Sequence, residues 1–104
     1  MVVDLIDRKL REAHLHIMIL IKAITENKYT WDCNWDFADD LAIIYVDDSR
    51  VDWNILIDLL VLEDGNVQYL MTLQKGKSIY PLKINKISSG KFREDFKELY
   101  EHTL

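Results

Sequence analysis

Long hydrophobic runs are missing from this chain of 104 residues, and so are most residues that punctuate or cross-link a fold: there is one cysteine, one proline and three glycines. Each shortage excludes something. A lone Cys33 forms no internal disulfide and lacks the partners that a metal cluster or redox pair needs, which points to a reducing, cytoplasmic setting. The longest uncharged apolar stretch near the N-terminus, 15–21, is far short of the roughly 20 residues that span a bilayer, so no membrane association is expected. Asp4, Asp7, Arg8, Lys9 and Arg11 are mixed into the apolar residues before it, a pattern that fits neither a signal peptide nor a transit peptide. With 49% hydrophobic and 30% charged residues the chain has the composition of a globular protein, and its length suits one domain over residues 1–104.

Reaction signatures are missing as well. Gly76-Lys77-Ser78 invites comparison with a phosphate-binding loop, but Met71 stands where the first glycine is required and two strands, rather than a strand and a helix, flank the tripeptide. Gly90-Lys91 fails in the same way, with Asn85 at the first position and Phe92 after the lysine. His14 and His16 are two apart, which on a helix separates them by roughly 200° and prevents joint chelation. His102 falls in the last turn of a C-terminal helix, where a cation suits the dipole.

The acids form no local metal site either. Asp32 and Asp36 on a strand are about 13 Å apart, too far to share a metal. Asp39-Asp40 and Asp47-Asp48 lack the alternating spacing of a calcium loop, and Glu63 is followed by Asp64 and Gly65 where a nuclease of the Glu-x-Lys kind needs its lysine. Cys33 lies between Trp31 and Trp35 on the face read as buried, which suits an inert thiol. These residues give no enzyme, no metal site and no cofactor.

What is present is periodicity. Val3, Ile6, Leu10, Ala13, Ile17, Leu20 and Ile24 recur in steps of three and four and predict a helix over 3–24, with Asp4–Arg8, Asp7–Arg11 and Arg8–Glu12 at ion-pairing spacing. The period then becomes two: Tyr29, Trp31, Cys33, Trp35 and Phe37 alternate with Thr30, Asp32, Asn34 and Asp36, a strand with one buried face. The nearly continuous apolar run 41–46 predicts a strand covered on both faces. Residues 51–62 carry both a capping-box pattern, Ser49 with Asp52, and alternation at Val51, Trp53, Ile55 and Ile57; β-branched content and the Asp64-Gly65 hairpin signal favour a strand. Val67, Tyr69, Met71 and Leu73 alternate again.

A turn at Lys75-Gly76-Lys77 leads into a strand over 78–84, placed at an edge by Pro81. Ser88 or Ser89 caps a final helix bearing Phe92, Phe96, Leu99 and Tyr100. The expected architecture is α+β: an N-terminal helix, a four- or five-stranded antiparallel, meander-like sheet, and a C-terminal helix packed on one sheet face.

Charge is distributed unevenly along this order. Residues 29–66 hold ten acids against Arg50 alone, a net −9, whereas 1–28 carry +1 and 67–104 carry +3. If Asp52 and Asp58 align beside Asp32 and Asp36, one sheet face becomes negative, flanked by Asp39, Asp40, Asp47 and Asp48 in the turns. That surface repels nucleic acid and favours a basic protein partner, for which it raises the association rate and excludes competitors. The aromatics Tyr29, Trp31, Trp35, Phe37 and Trp53 have aspartates for neighbours, where base-stacking sheets have Lys and Arg.

The expected function is that of a small acidic antagonist, of the toxin-immunity or phage anti-defence type, that occludes the basic or nucleic-acid-binding surface of another protein. The alternatives are a homo-oligomeric structural or regulatory subunit joined through the first helix or the Pro81 edge, including a homodimer, and an enzyme whose carboxylate site is assembled from separate strands.

Overall fold

The computed structural model describes residues 2–26, 31–36, 41–47, 52–87 and 90–104, with the segments 31–36 and 41–47 defined by their backbone pairing. The order is α1 (Val2–Thr25), β1 (Trp31–Asp36), β2 (Leu41–Asp47), β3 (Trp53–Val61), β4 (Val67–Lys75), β5 (Ser78–Ile79), β6 (Lys83–Lys86) and α2 (Lys91–Glu101). The strands form one antiparallel sheet in the order β1-β2-β3-β4, with β5 and β6 both paired to the far edge of β4. The α+β expectation therefore holds, and 51–62 contains a strand rather than a helix.

Helix α1 forms where the three-and-four spacing begins and carries the Arg11–Asp7 ion pair at 2.9 Å. Leu10, Ala13, Ile17 and Ile21 are buried, while Leu20 and Ile24 pack partly against the same core. The buried stripe thus takes in Ile21 beside the three-and-four series, because the helix lies on a broad sheet. Thr25 closes the last turn by donating its hydroxyl to the Ile21 carbonyl at 2.8 Å.

Helix α2 buries Phe92, Phe96, Leu99 and Tyr100, the residues its spacing singles out. Its N-cap is Gly90 in the left-handed region (φ 79°) with no side-chain cap; Ser88 and Ser89, the expected caps, lie outside the described residues. The helix ends at Glu101, so His102 is its C-cap and sits beyond the last turn, with its ring against Tyr80 at 4.7 Å.

One core joins both helices to one side of the sheet. Trp53, Ile55, Ile57 and Leu59 of β3 and Tyr69, Met71 and Leu73 of β4 project into it at every second position. Phe92 meets Tyr69 edge-on at 5.1 Å, and Tyr100 meets Trp53 at 6.3 Å. Tyr69 donates its hydroxyl to the Asp95 carboxylate at 2.6 Å, tying β4 to α2, and burial followed by that contact pushes its phenol well above the usual range.

The edge beyond β4 is broken by Pro81. Lys75 pairs with Ser78 and Gln74 with Ile79, but Met71 pairs with Lys83, so Thr72 and Leu73 face three residues, Tyr80, Pro81 and Leu82. The extra residue is accommodated by the Tyr80 N–H donating to the Leu73 carbonyl (2.9 Å) and the Thr72 hydroxyl donating to the Tyr80 carbonyl (2.7 Å). A one-residue insertion reverses which side each following residue takes. Lys83 consequently turns toward α2 and pairs with Glu98 at 2.6 Å, and Ile84 turns to the other side.

Candidate binding face of the sheet

Because α1 and α2 share one core, both lie on the same side of the sheet, and among the described residues nothing covers the other side. The pleat fixes what is presented there. Asn54, Leu56, Asp58 and Leu60 alternate with the buried residues of β3, and Gln68, Leu70, Thr72 and Gln74 with those of β4. Leu56 is 37% exposed and Ile84, turned outward by the insertion, is 53% exposed; Leu60, Leu70 and Thr72 are half-buried.

Asp58 sits in the middle of this apolar surface. Its register partners are Ile43 on β2 and Leu70 on β4, with Leu56 and Leu60 on either side along its own strand. The carboxylate makes no hydrogen bond or ion pair among the described residues, and partial burial alone holds its pKa above the usual 3.8. Asp64 and Glu98 differ in having donors: Asp64 accepts from the backbone and side chain of Asn66 at 2.9 Å, Glu98 accepts from Lys83, and both are held below the usual carboxylate range.

The backbone register locates some of the acids singled out from the sequence. The register aligns Asp32 with Tyr45 and Leu56, Asn34 with Ile43 and Asp58, and Asp36 with Leu41, Leu60, Gln68 and Lys86. Asp58 therefore shares the pleat of Asp32 and Asp36 but stands two strands away, roughly 10 Å at the usual strand spacing. Asp47 is paired with Asn54 at the end of β2. Asp52 is exposed beyond the last β2–β3 pair, where its carbonyl accepts the Gly76 N–H at 2.8 Å and helps close the β4–β5 turn. Asp39, Asp40 and Asp48 lie outside the described residues.

The acids alone do not point to the apolar residues of the face, although a signal for them exists. Residues 55–61 run Ile-Leu-Ile-Asp-Leu-Leu-Val, and so nearly continuous a run makes both sides of a strand apolar. The same signal in 41–46 suggests cover on both faces; the side chains of that strand lie outside the described residues.

Other candidates assemble less. His14 is half-buried, which lowers its pKa, whereas His16 is exposed and borders a shallow depression of about 280 Å³ that also receives Lys9, Glu12 and Asn66. Gly76-Lys77-Ser78 forms the tight β4–β5 turn, with Gly76 at φ 58°. Among the described residues no three His, Cys, Asp or Glu side chains are grouped to hold a metal ion, and no helix is long and apolar enough to cross a membrane. Compared with family models, curated proteins and solved structures, the chain matches none of them.

Proposed function

We propose that this chain is a small, non-catalytic binding protein of the cytoplasm that occludes a basic surface of a partner protein, in the manner of a toxin-immunity protein or an anti-defence inhibitor. The observation that carries this reading is the side of the sheet that no described residue covers, where Leu56, Leu60 and Leu70 surround Asp58 with Ile84 one strand further out, and where β1, β2 and β3 belong to the segment of net charge −9. An apolar centre supplies affinity through burial, and a surrounding negative field steers a basic partner and rejects acidic ones. Asp32, Asp36, Asp39, Asp40, Asp47, Asp48, Asp52 and Asp58 are the residues proposed to meet it, their carboxylates standing in for the phosphates that the partner otherwise binds. No enzymatic role, metal or cofactor forms part of this reading.

Affinity capture from the native host followed by mass spectrometry tests it. A basic protein should be recovered with the wild type and lost with the triple variant Asp32→Lys, Asp36→Lys, Asp52→Lys. Recovery of the chain alone under gentle conditions would reject the reading.

One observation favours a second reading, a homo-oligomeric subunit. Leu15 and Ile19 on α1 are 62% and 69% exposed, one turn apart on its outer side, and two such helices pairing would cover them. A mass that rises with concentration and falls in the Leu15→Glu, Ile19→Glu variant would support it.

A further inference from the structure

The open face contains a charge that nothing in the described fold balances. Directly opposing positions on neighbouring strands are about 5 Å apart at Cβ, and diagonal positions about 7 Å. Around Asp58 those positions are occupied by Leu56 and Leu60 on β3, by Gln68, Leu70 and Thr72 on β4, and by Leu41, Ile43 and Tyr45 in the β2 register. None of these residues is cationic. Among the described residues of the outward columns the nearest cation is Lys86 on β6, two strands away and engaged with Asp64 at 3.6 Å. Beyond β2, the register brings only Asp32, Asn34 and Asp36.

Leaving a carboxylate without a partner on an apolar surface costs free energy, and a hydrophobic residue at position 58 would continue the run on either side without that cost. The charge complement must therefore arrive with whatever covers the face. Resting on the binding reading above, we infer that Asp58 is the specificity anchor of the open face, pairing its carboxylate with an arginine side chain presented by an otherwise apolar segment of the partner protein. Arginine fits better than lysine, since its planar guanidinium grips a carboxylate through two parallel N–H donors and is weakly enough hydrated to leave water for a surface lined by Leu56, Leu60 and Leu70. The apolar residues around it exclude water from the pair, the arrangement in which a single contact dominates an interface. A second copy of the chain is the poorer occupant, because a two-fold axis along β3 would press Asp58 against its own counterpart.

The test uses the full chain with Asp Cγ and Leu methyl carbons labelled, titrated with N-acetyl-arginine N-methylamide and, for comparison, with its lysine and norleucine analogues. The arginine probe should give saturable shifts at Asp58 and at the methyls of Leu56, Leu60 and Leu70. Asp58→Asn, which removes only the charge, should weaken the response at least tenfold, and Asp58→Glu should recover part of it. Unaltered binding by Asp58→Asn, shifts confined to Asp32, Asp36 and Asp52, or an equal response to norleucine would each overturn the inference. If partner capture is lost in the triple variant but kept in Asp58→Asn, the anchor is wrong and the acidic-surface reading stands. A concentration-dependent mass abolished by Leu70→Lys would instead assign the face to a second copy and overturn the anchor as well.

Discussion

The two sides of this sheet are built from the same strands and differ in almost every other respect. On the covered side Ile55, Ile57, Leu59, Tyr69, Met71 and Leu73 are fully buried, and no buried side-chain polar atom among the described residues lacks a partner. On the open side Leu56 and Ile84 reach solvent and Asp58 has no partner among the described residues. A fold that satisfies one face so completely has the means to satisfy the other. The proposed binding falls on the side that keeps an apolar surface with one acid lacking a described partner, and stability rests on the other.

This contrast can be tested by substitution on each side. The largest effect is expected for Phe96→Ala on the covered side, which removes a fully buried ring stacked between Phe92 and Tyr100 and should cost about 3–5 kcal/mol in urea unfolding. Deleting Leu82, which is exposed, removes the extra residue opposite Thr72 and Leu73. The ladder should then run two residues against two, with Lys83 still opposite Met71 and Ile84 still opposite Leu70, so that Lys83 keeps its nuclear Overhauser contacts to α2; placing Pro81, which has no N–H, in a regular ladder should cost about 2 kcal/mol. Tyr69→Phe keeps the buried ring but leaves Asp95 without its donor, and should cost about 1 kcal/mol.

The smallest effects belong to the open side. Leu56→Thr should change stability by no more than about 0.5 kcal/mol while reducing partner capture, a separation that the covered side cannot produce. Asp58→Asn should be neutral or slightly stabilising at pH 7. Because partial burial raises the Asp58 pKa in the fold, the carboxyl favours folding below its ordinary 3.8 and loses that contribution as pH rises through the folded value. The advantage of the asparagine variant should accordingly grow from about pH 3.8 toward neutrality, read as the difference between the two melting temperatures.

Much of the fold is legible without coordinates. The stripe through Leu10, Ala13 and Ile17 and the aromatic spacing of Phe92, Phe96 and Tyr100 identify the helices because only a 3.6-residue period places those residues together. Trp53, Ile55 and Ile57 mark β3 for the corresponding reason at period two. The insertion at Tyr80, Pro81 and Leu82 is not legible, since a proline predicts an edge but not how many residues will oppose two on the neighbouring strand. The site is less legible still. Ten acids in 29–66 are visible as composition, yet whether Asp58 adjoins Asp32 and Asp36 depends on the width of β2 and the register of its pairs, neither of which is encoded in the acids themselves.

The sequence by itself determined the class of the domain, the identity of its two helices and of β1 to β4, and the concentration of negative charge in its middle third, because each follows from local period and composition. Only the tertiary structure decided that both helices take the same side, that the insertion turns Ile84 away from them, and that Asp58 is left among leucines rather than among the other aspartates. Those outcomes depend on pairings between residues distant in the chain, where a shift of one position moves a whole strand's side chains to the other face.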